Sequence, residues 1–99
     1  MKYFKKYGIT EDEIKELEDF YNENIIKFLK ENEIFITEKL DYLKEEGYNI
    51  YPILRDNIKV FLEIITAMER KIEKMKEKNF SEKEIQAVLE NERLYDRIK

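Results

Sequence analysis

The sequence predicts an all-α protein, a small helical bundle or short helical-repeat array of about four to five helices in a single domain over residues 1–99. Three observations predict it. Glycine stands only at Gly8 and Gly47 and proline only at Pro52, so the tight turns that join β-strands have almost no material. Apolar residues recur at intervals of three and four, the period of one helix face. Thr10-Glu11-Asp12-Glu13 and Ser81-Glu82-Lys83-Glu84 each pair a hydroxyl with a carboxylate three residues later, which together satisfy the free amides of a helix start.

The first helix begins after Thr10 and places Ile14, Leu17, Tyr21, Ile25 and Phe28 on its core face. From Asn32 to Ile36 the period blurs, because Ile34, Phe35 and Ile36 are consecutive, which predicts a kink or short break there with Thr37 capping a new segment. That segment turns Leu40 and Leu43 inward and stops at Gly47, because glycine enters the left-handed conformation that ends helices without a Cβ clash. Asn49 then caps a helix whose first turn accepts Pro52, where a missing amide hydrogen goes unneeded. Leu54, Ile58, Phe61, Ile65, Met68, Ile72 and Met75 follow at alternating spacings of four and three, a heptad seam on one long helix or on two that share a face. Asn79 tolerates the left-handed conformation second only to glycine and ends that run. A last helix after Ser81 buries Ile85, Val88 and Leu89, with Leu94 and Tyr95 beyond.

The helix ends share one recipe. Phe4 to Thr10, Leu43 to Asn49 and Met75 to Ser81 each read as an apolar residue and a lysine, then a left-handed residue, an apolar anchor and a cap, at offsets of 39 and 32 residues. A second series, Asn24-Ile25-Ile26-Lys27-Phe28-Leu29, Asn57-Ile58-Lys59-Val60-Phe61-Leu62 and the weaker Asn91-Glu92-Arg93-Leu94-Tyr95, repeats at offsets of 33 and 34. This arrangement resembles the mitochondrial transcription termination factor family, with the match over residues 24–95 carried by Leu43 to Leu62 and Met75 to Tyr95. The resemblance implies a curved solenoid of stacked helices that holds nucleic acid on a basic concave face. Ile25, Ile58 and Glu92 stand where that family has a proline after each asparagine. Leu43 to Leu54 with the heptad after it also resembles the end of the DNA-binding part and the dimerisation helix of MerR-type regulators, without the winged helix-turn-helix that precedes it there.

Composition excludes most chemistry. The chain has no histidine and no cysteine, so the usual base near neutral pH, the thiolate nucleophile and the softer metal ligands are absent. Ser81 is the single serine and heads a capping box. Glu11, Asp12, Glu13, Glu16 and Asp19 form the densest acidic cluster, but in a first helical turn they compensate the helix dipole and lack the spacing of a calcium loop. Two glycines 39 residues apart form no phosphate loop. No catalytic residue, cofactor or metal is expected, and the chain reads as no enzyme.

Binding is what remains. Net charge is −4, unevenly spread: residues 10–46 hold thirteen acidic and five basic side chains, residues 47–80 five acidic and seven basic. Lys59, Arg70, Lys71, Lys74, Lys76 and Lys78 are the candidates for phosphate contact, against ordinary helix ion pairing with Glu69, Glu73 and Glu77. Leu54, Ile58, Phe61, Ile65, Met68, Ile72 and Met75 are the candidate helix-helix interface of a homodimer. The expectation is a non-enzymatic regulatory module in the cytoplasm that binds another protein or nucleic acid and no membrane, or else an acidic inhibitor that occupies a nucleic-acid-binding partner.

Overall fold

The computed structural model describes residues 1–99, and it is all-α. A short 3-10 helix, Lys2–Tyr7, precedes eight α-helices: α1 Glu11–Phe20, α2 Glu23–Glu31, α3 Glu33–Glu45, α4 Ile50–Asp56, α5 Lys59–Leu62, α6 Ile65–Glu77, α7 Glu82–Leu89 and α8 Glu92–Arg97. The helices are shorter and more numerous than the periodicity suggests.

The left-handed positions fall where the shared recipe places them. Gly8, Gly47 and Asn79 have φ of 79°, 82° and 64°, and no other residue has a positive φ. After Gly47 and Asn79 the chain closes the same way: Tyr48 N–H donates to the Leu43 carbonyl at 2.9 Å and Phe80 N–H to Met75 at 3.0 Å, the six-to-one bond of a helix ending in a left-handed residue. The three reversals cut the chain into a first unit of α1, α2 and α3, a second of α4, α5 and α6, and a third of α7 and α8. Ile14, Ile53 and Ile85, each six residues beyond its left-handed residue, are all buried.

Each unit breaks after its first helix, and each break carries an asparagine. Asn22 accepts from Ile25 N–H at 3.0 Å and Asn91 from Leu94 N–H at 3.1 Å, restarting the helix in both places. Asn57, fully buried, instead donates its amide to the Leu89 carbonyl at 2.9 Å. No proline is needed for these breaks. The expected single helix from Thr10 through Phe28 is therefore two, and the repeating asparagine of the first unit is Asn22 rather than Asn24.

Three further expectations are corrected. The kink expected between Asn32 and Ile36 falls at Asn32, whose φ of −123° and ψ of 47° leave the helical region, but Thr37 caps no new segment: it sits inside α3 and bonds back to the Ile34 carbonyl at 3.1 Å. Asn49 begins α4 without a side-chain cap, because Pro52 occupies the position whose amide it would accept from. Gln86 grips the Asn49 backbone instead, accepting from its N–H at 2.9 Å and donating to its C=O at 3.0 Å. The seam from Leu54 to Met75 belongs to no single helix but runs across α4, α5 and α6. Leu54, Phe61, Met68, Ile72 and Met75 have no exposed surface, and Ile58 and Ile65 pack half-buried against the core. The seam's five fully buried residues are thus used inside their own chain, and Ile58 and Ile65 keep part of their surface in water.

Candidate functional site

The units are joined by side chains that reach the helix ends of the next unit. Tyr21 O–H, at the break of the first unit, donates to the carbonyls of Leu54 at 2.5 Å and Arg55 at 2.8 Å, where α4 ends; Asn57 does the same for α7 at Leu89. The third helices repeat the device. Lys39 on α3 donates to the Phe61 carbonyl at 2.9 Å and to that of Glu63, just past α5, and Lys71 on α6 donates to the Tyr95 carbonyl at 3.1 Å near the end of α8. Lys39 and Lys71 stand 32 residues apart, as Gly47 and Asn79 do, and Phe61 and Tyr95 stand 34 apart, as Asn57 and Asn91 do. The same lysine therefore reaches a helix-end carbonyl at the same position of the following unit, and the Tyr95 carbonyl also accepts from Ile98 N–H at 3.2 Å.

The two lysines differ in surroundings. Lys39 is fully buried, with its Nζ 3.3 Å from the centre of the Phe35 ring. Burial pushes its ammonium down to about 8, while the Glu63 and Glu38 carboxylates work in the opposite direction. Lys71 is half-buried, 4.0 Å from the centre of the Tyr95 ring. Tyr95, itself fully buried, donates its O–H to the Glu63 carboxylate, and burial followed by that bond holds its hydroxyl well above the usual tyrosine range. Lys39, Glu63, Tyr95 and Lys71 thus form one polar chain through all three units. Of these, the sequence marks Lys71 as a phosphate candidate and Tyr95 as apolar, while Lys39 and Glu63 carry no motif, although the 32-residue offset of the two lysines is legible.

Five large apolar side chains are exposed, and four of them, Ile34, Leu62, Ile64 and Leu94, are immediate chain neighbours of Phe35, Glu63 or Tyr95. Ile34 and Ile64 are 79% and 61% exposed, far more than a packed isoleucine. Lys39, beside the Phe35 ring, and Tyr95 both bond Glu63, which ties the start of α3, the α5–α6 junction and α8 to one another, and the four exposed side chains adjacent to these residues form a rim. The fifth, Phe20, ends α1 with its ring edge-on to Tyr21.

The six candidate phosphate-contacting residues divide evenly. Lys59 is held by Asp96 at 3.1 Å and Glu92 at 3.5 Å, Lys76 by Glu46 at 2.7 Å, and Lys71 by the Tyr95 carbonyl. Arg70, Lys74 and Lys78 enter none of the six ion pairs and form a column four residues apart on α6. Glu69, Glu73 and Glu77 form a parallel column beside them, so the expected ion pairs within the helix are absent and a polyanion approaching α6 meets both signs.

The largest surface cleft, about 570 Å³, is of mixed charge too, lined among others by Lys2, Lys5, Glu11, Lys15, Glu18 and Lys30. Lys5–Glu11 at 2.9 Å and Lys30–Glu18 at 3.7 Å already neutralise part of it. No group of three or more carboxylates comes together to hold a metal ion, and no helix is long and apolar enough to cross a membrane. No family model matches the chain, and no curated protein or solved structure matches it.

Proposed function

We propose that the chain is a non-enzymatic helical binding module whose partner is another protein, engaged through the rim of Ile34, Leu62, Ile64 and Leu94. The observation that carries this reading is four large apolar side chains left in water, each next in sequence to Phe35, Glu63 or Tyr95. A core-forming residue exposed to 79%, such as Ile34, gives up its burial energy unless a partner restores it. The charge pattern supports a protein over nucleic acid, because three of the six candidate cations are engaged and the remaining column runs beside an acidic one. Aromatic anchors for bases are scarce as well, Phe20 being the one strongly exposed ring.

The test compares the protein with an Ile34→Ser/Ile64→Ser variant, each used to capture partners from native cell extract. The variant should fold as the parent does and lose the captured protein. Equal capture by both, or loss of capture only when Arg70, Lys74 and Lys78 are replaced by glutamine, would refute the rim. Sedimentation of the parent alone shows whether the captured partner is a second copy. A salt-dependent duplex or single-strand affinity that disappears with the glutamine variant would return the function to nucleic acid.

A further inference from the structure

We propose that Lys39 is the positioning residue of the rim: it clasps residues 61–64 as a strap whose inward side chains are anchored and whose outward side chains, Leu62 and Ile64, face the partner. This rests on the rim reading above. The strap leaves α5 and enters α6 with Glu63 at φ −96° and ψ 166° and Ile64 at φ −69° and ψ 151°, both extended. Successive side chains of extended backbone point to opposite sides. Accordingly, the Glu63 carboxylate meets Tyr95 while Ile64 is exposed, and at the end of α5 just before them Phe61 is fully buried while Leu62 is exposed.

The inner side is fixed at three points. Phe61 fills the core, Glu63 accepts from Tyr95 O–H, and the Lys39 ammonium binds the carbonyls of both residues. Because α5 has only four residues, it cannot satisfy its own terminal carbonyls, and the lysine does this from another unit. Lys39 is also the single fully buried charged side chain. An apolar residue of similar length fills such a space without the cost of desolvating a cation. Keeping an ammonium there makes sense when the geometry of the strap matters more than stability. Lys71 makes the equivalent bond one unit later, where it holds α8 and not the strap.

The test is amide hydrogen exchange on the free protein for the parent, Lys39→Met, Tyr95→Phe and Lys71→Met. The reporters are the N–H groups of Phe61, Glu63 and Ala67, bonded to Ile58, Lys59 and Ile64, with α1 and α7 as internal references. Lys39→Met should raise exchange at the reporters at least tenfold more than in α1 and α7, and Tyr95→Phe should do so more weakly around Glu63. Lys71→Met should loosen α8 while leaving the strap as it is. Equal acceleration everywhere, or an unchanged strap, overturns the clasp. If Lys39→Met does not fold, an unchanged strap in Tyr95→Phe overturns it equally. Exchange requires no partner: a released strap with undiminished partner capture would refute the rim and leave the clasp standing.

Discussion

Helices α3 and α6 have the same length of thirteen residues, end in the same left-handed turn and carry a lysine at the same position, yet they do different work. α3 lies inside the array and touches the 3-10 helix, α2, α4, α5 and α6, so its lysine is fully covered. α6 lies nearer one end, with the two-helix third unit beyond it, so Lys71 stays half-buried and Arg70, Lys74 and Lys78 reach water. The comparison teaches that the elements packed around a helix decide whether a residue at the same helical position becomes core or surface.

The largest effect expected concerns what covers α3. Phe61→Ala removes a fully buried ring from under the strap and should cost about 3–5 kcal/mol by denaturant titration, enough to leave a domain of this size barely folded. A loss below about 1 kcal/mol would mean that the strap packs loosely and that α3 is no more enclosed than α6.

The next effect is pH dependence. With Lys39 at about 8 in the folded chain and the usual lysine value of 10.5 when unfolded, the unfolded chain holds the extra proton between those values. Stability of the parent relative to Lys39→Met should therefore rise from pH 8 toward pH 10. Above pH 10 the parent and the variant should both lose stability, because burial raises Tyr7, Tyr21 and Tyr51 to about 12 and the unfolded chain gives up those protons first. A parent and a Lys39→Met variant with parallel profiles between pH 8 and 10 would show the ammonium to be solvated.

The helix ends give a smaller test. Gly47 at φ 82° should cost about 1–2 kcal/mol on replacement by alanine, since a Cβ is strained in that conformation, whereas Asn79→Gly at φ 64° should change melting little. Smallest is the difference between helix starts. Ser81→Ala removes a cap accepting from Glu84 N–H at 3.1 Å and should cost about 1 kcal/mol. Asn49→Ala should cost no more than about 0.5 kcal/mol, because its side chain makes no such bond.

These same particulars show which features could be read from the sequence. Capping boxes at Thr10 and Ser81 and left-handed ends at Gly8, Gly47 and Asn79 are local chemistry, dictated by residues a few positions apart, and they stand where expected. The breaks near Asn22 and Asn57 were hidden because the apolar period runs on across them: Tyr21 keeps the spacing of a helix while standing extended, held by carbonyls 33 and 34 residues away. The seam from Leu54 to Met75 marks an inward face that the structure buries, but it spans three helices and not one or two. A heptad fixes which side faces inward and is silent on whether the inside belongs to the same chain or to a copy. The rim was legible only in part. Ile34 and Ile64 look like core residues in a sequence, and their exposure follows from where the strap and α3 end in space.

The central claim, that the rim meets a protein, is tested most directly by photo-crosslinking. A photoactivatable residue is placed at Ile34, at Ile64 or at Lys74, and each protein is irradiated in native extract. The account predicts one common crosslinked protein from positions 34 and 64 and none from 74. Crosslinks from 74 alone, or to nucleic acid, would contradict it.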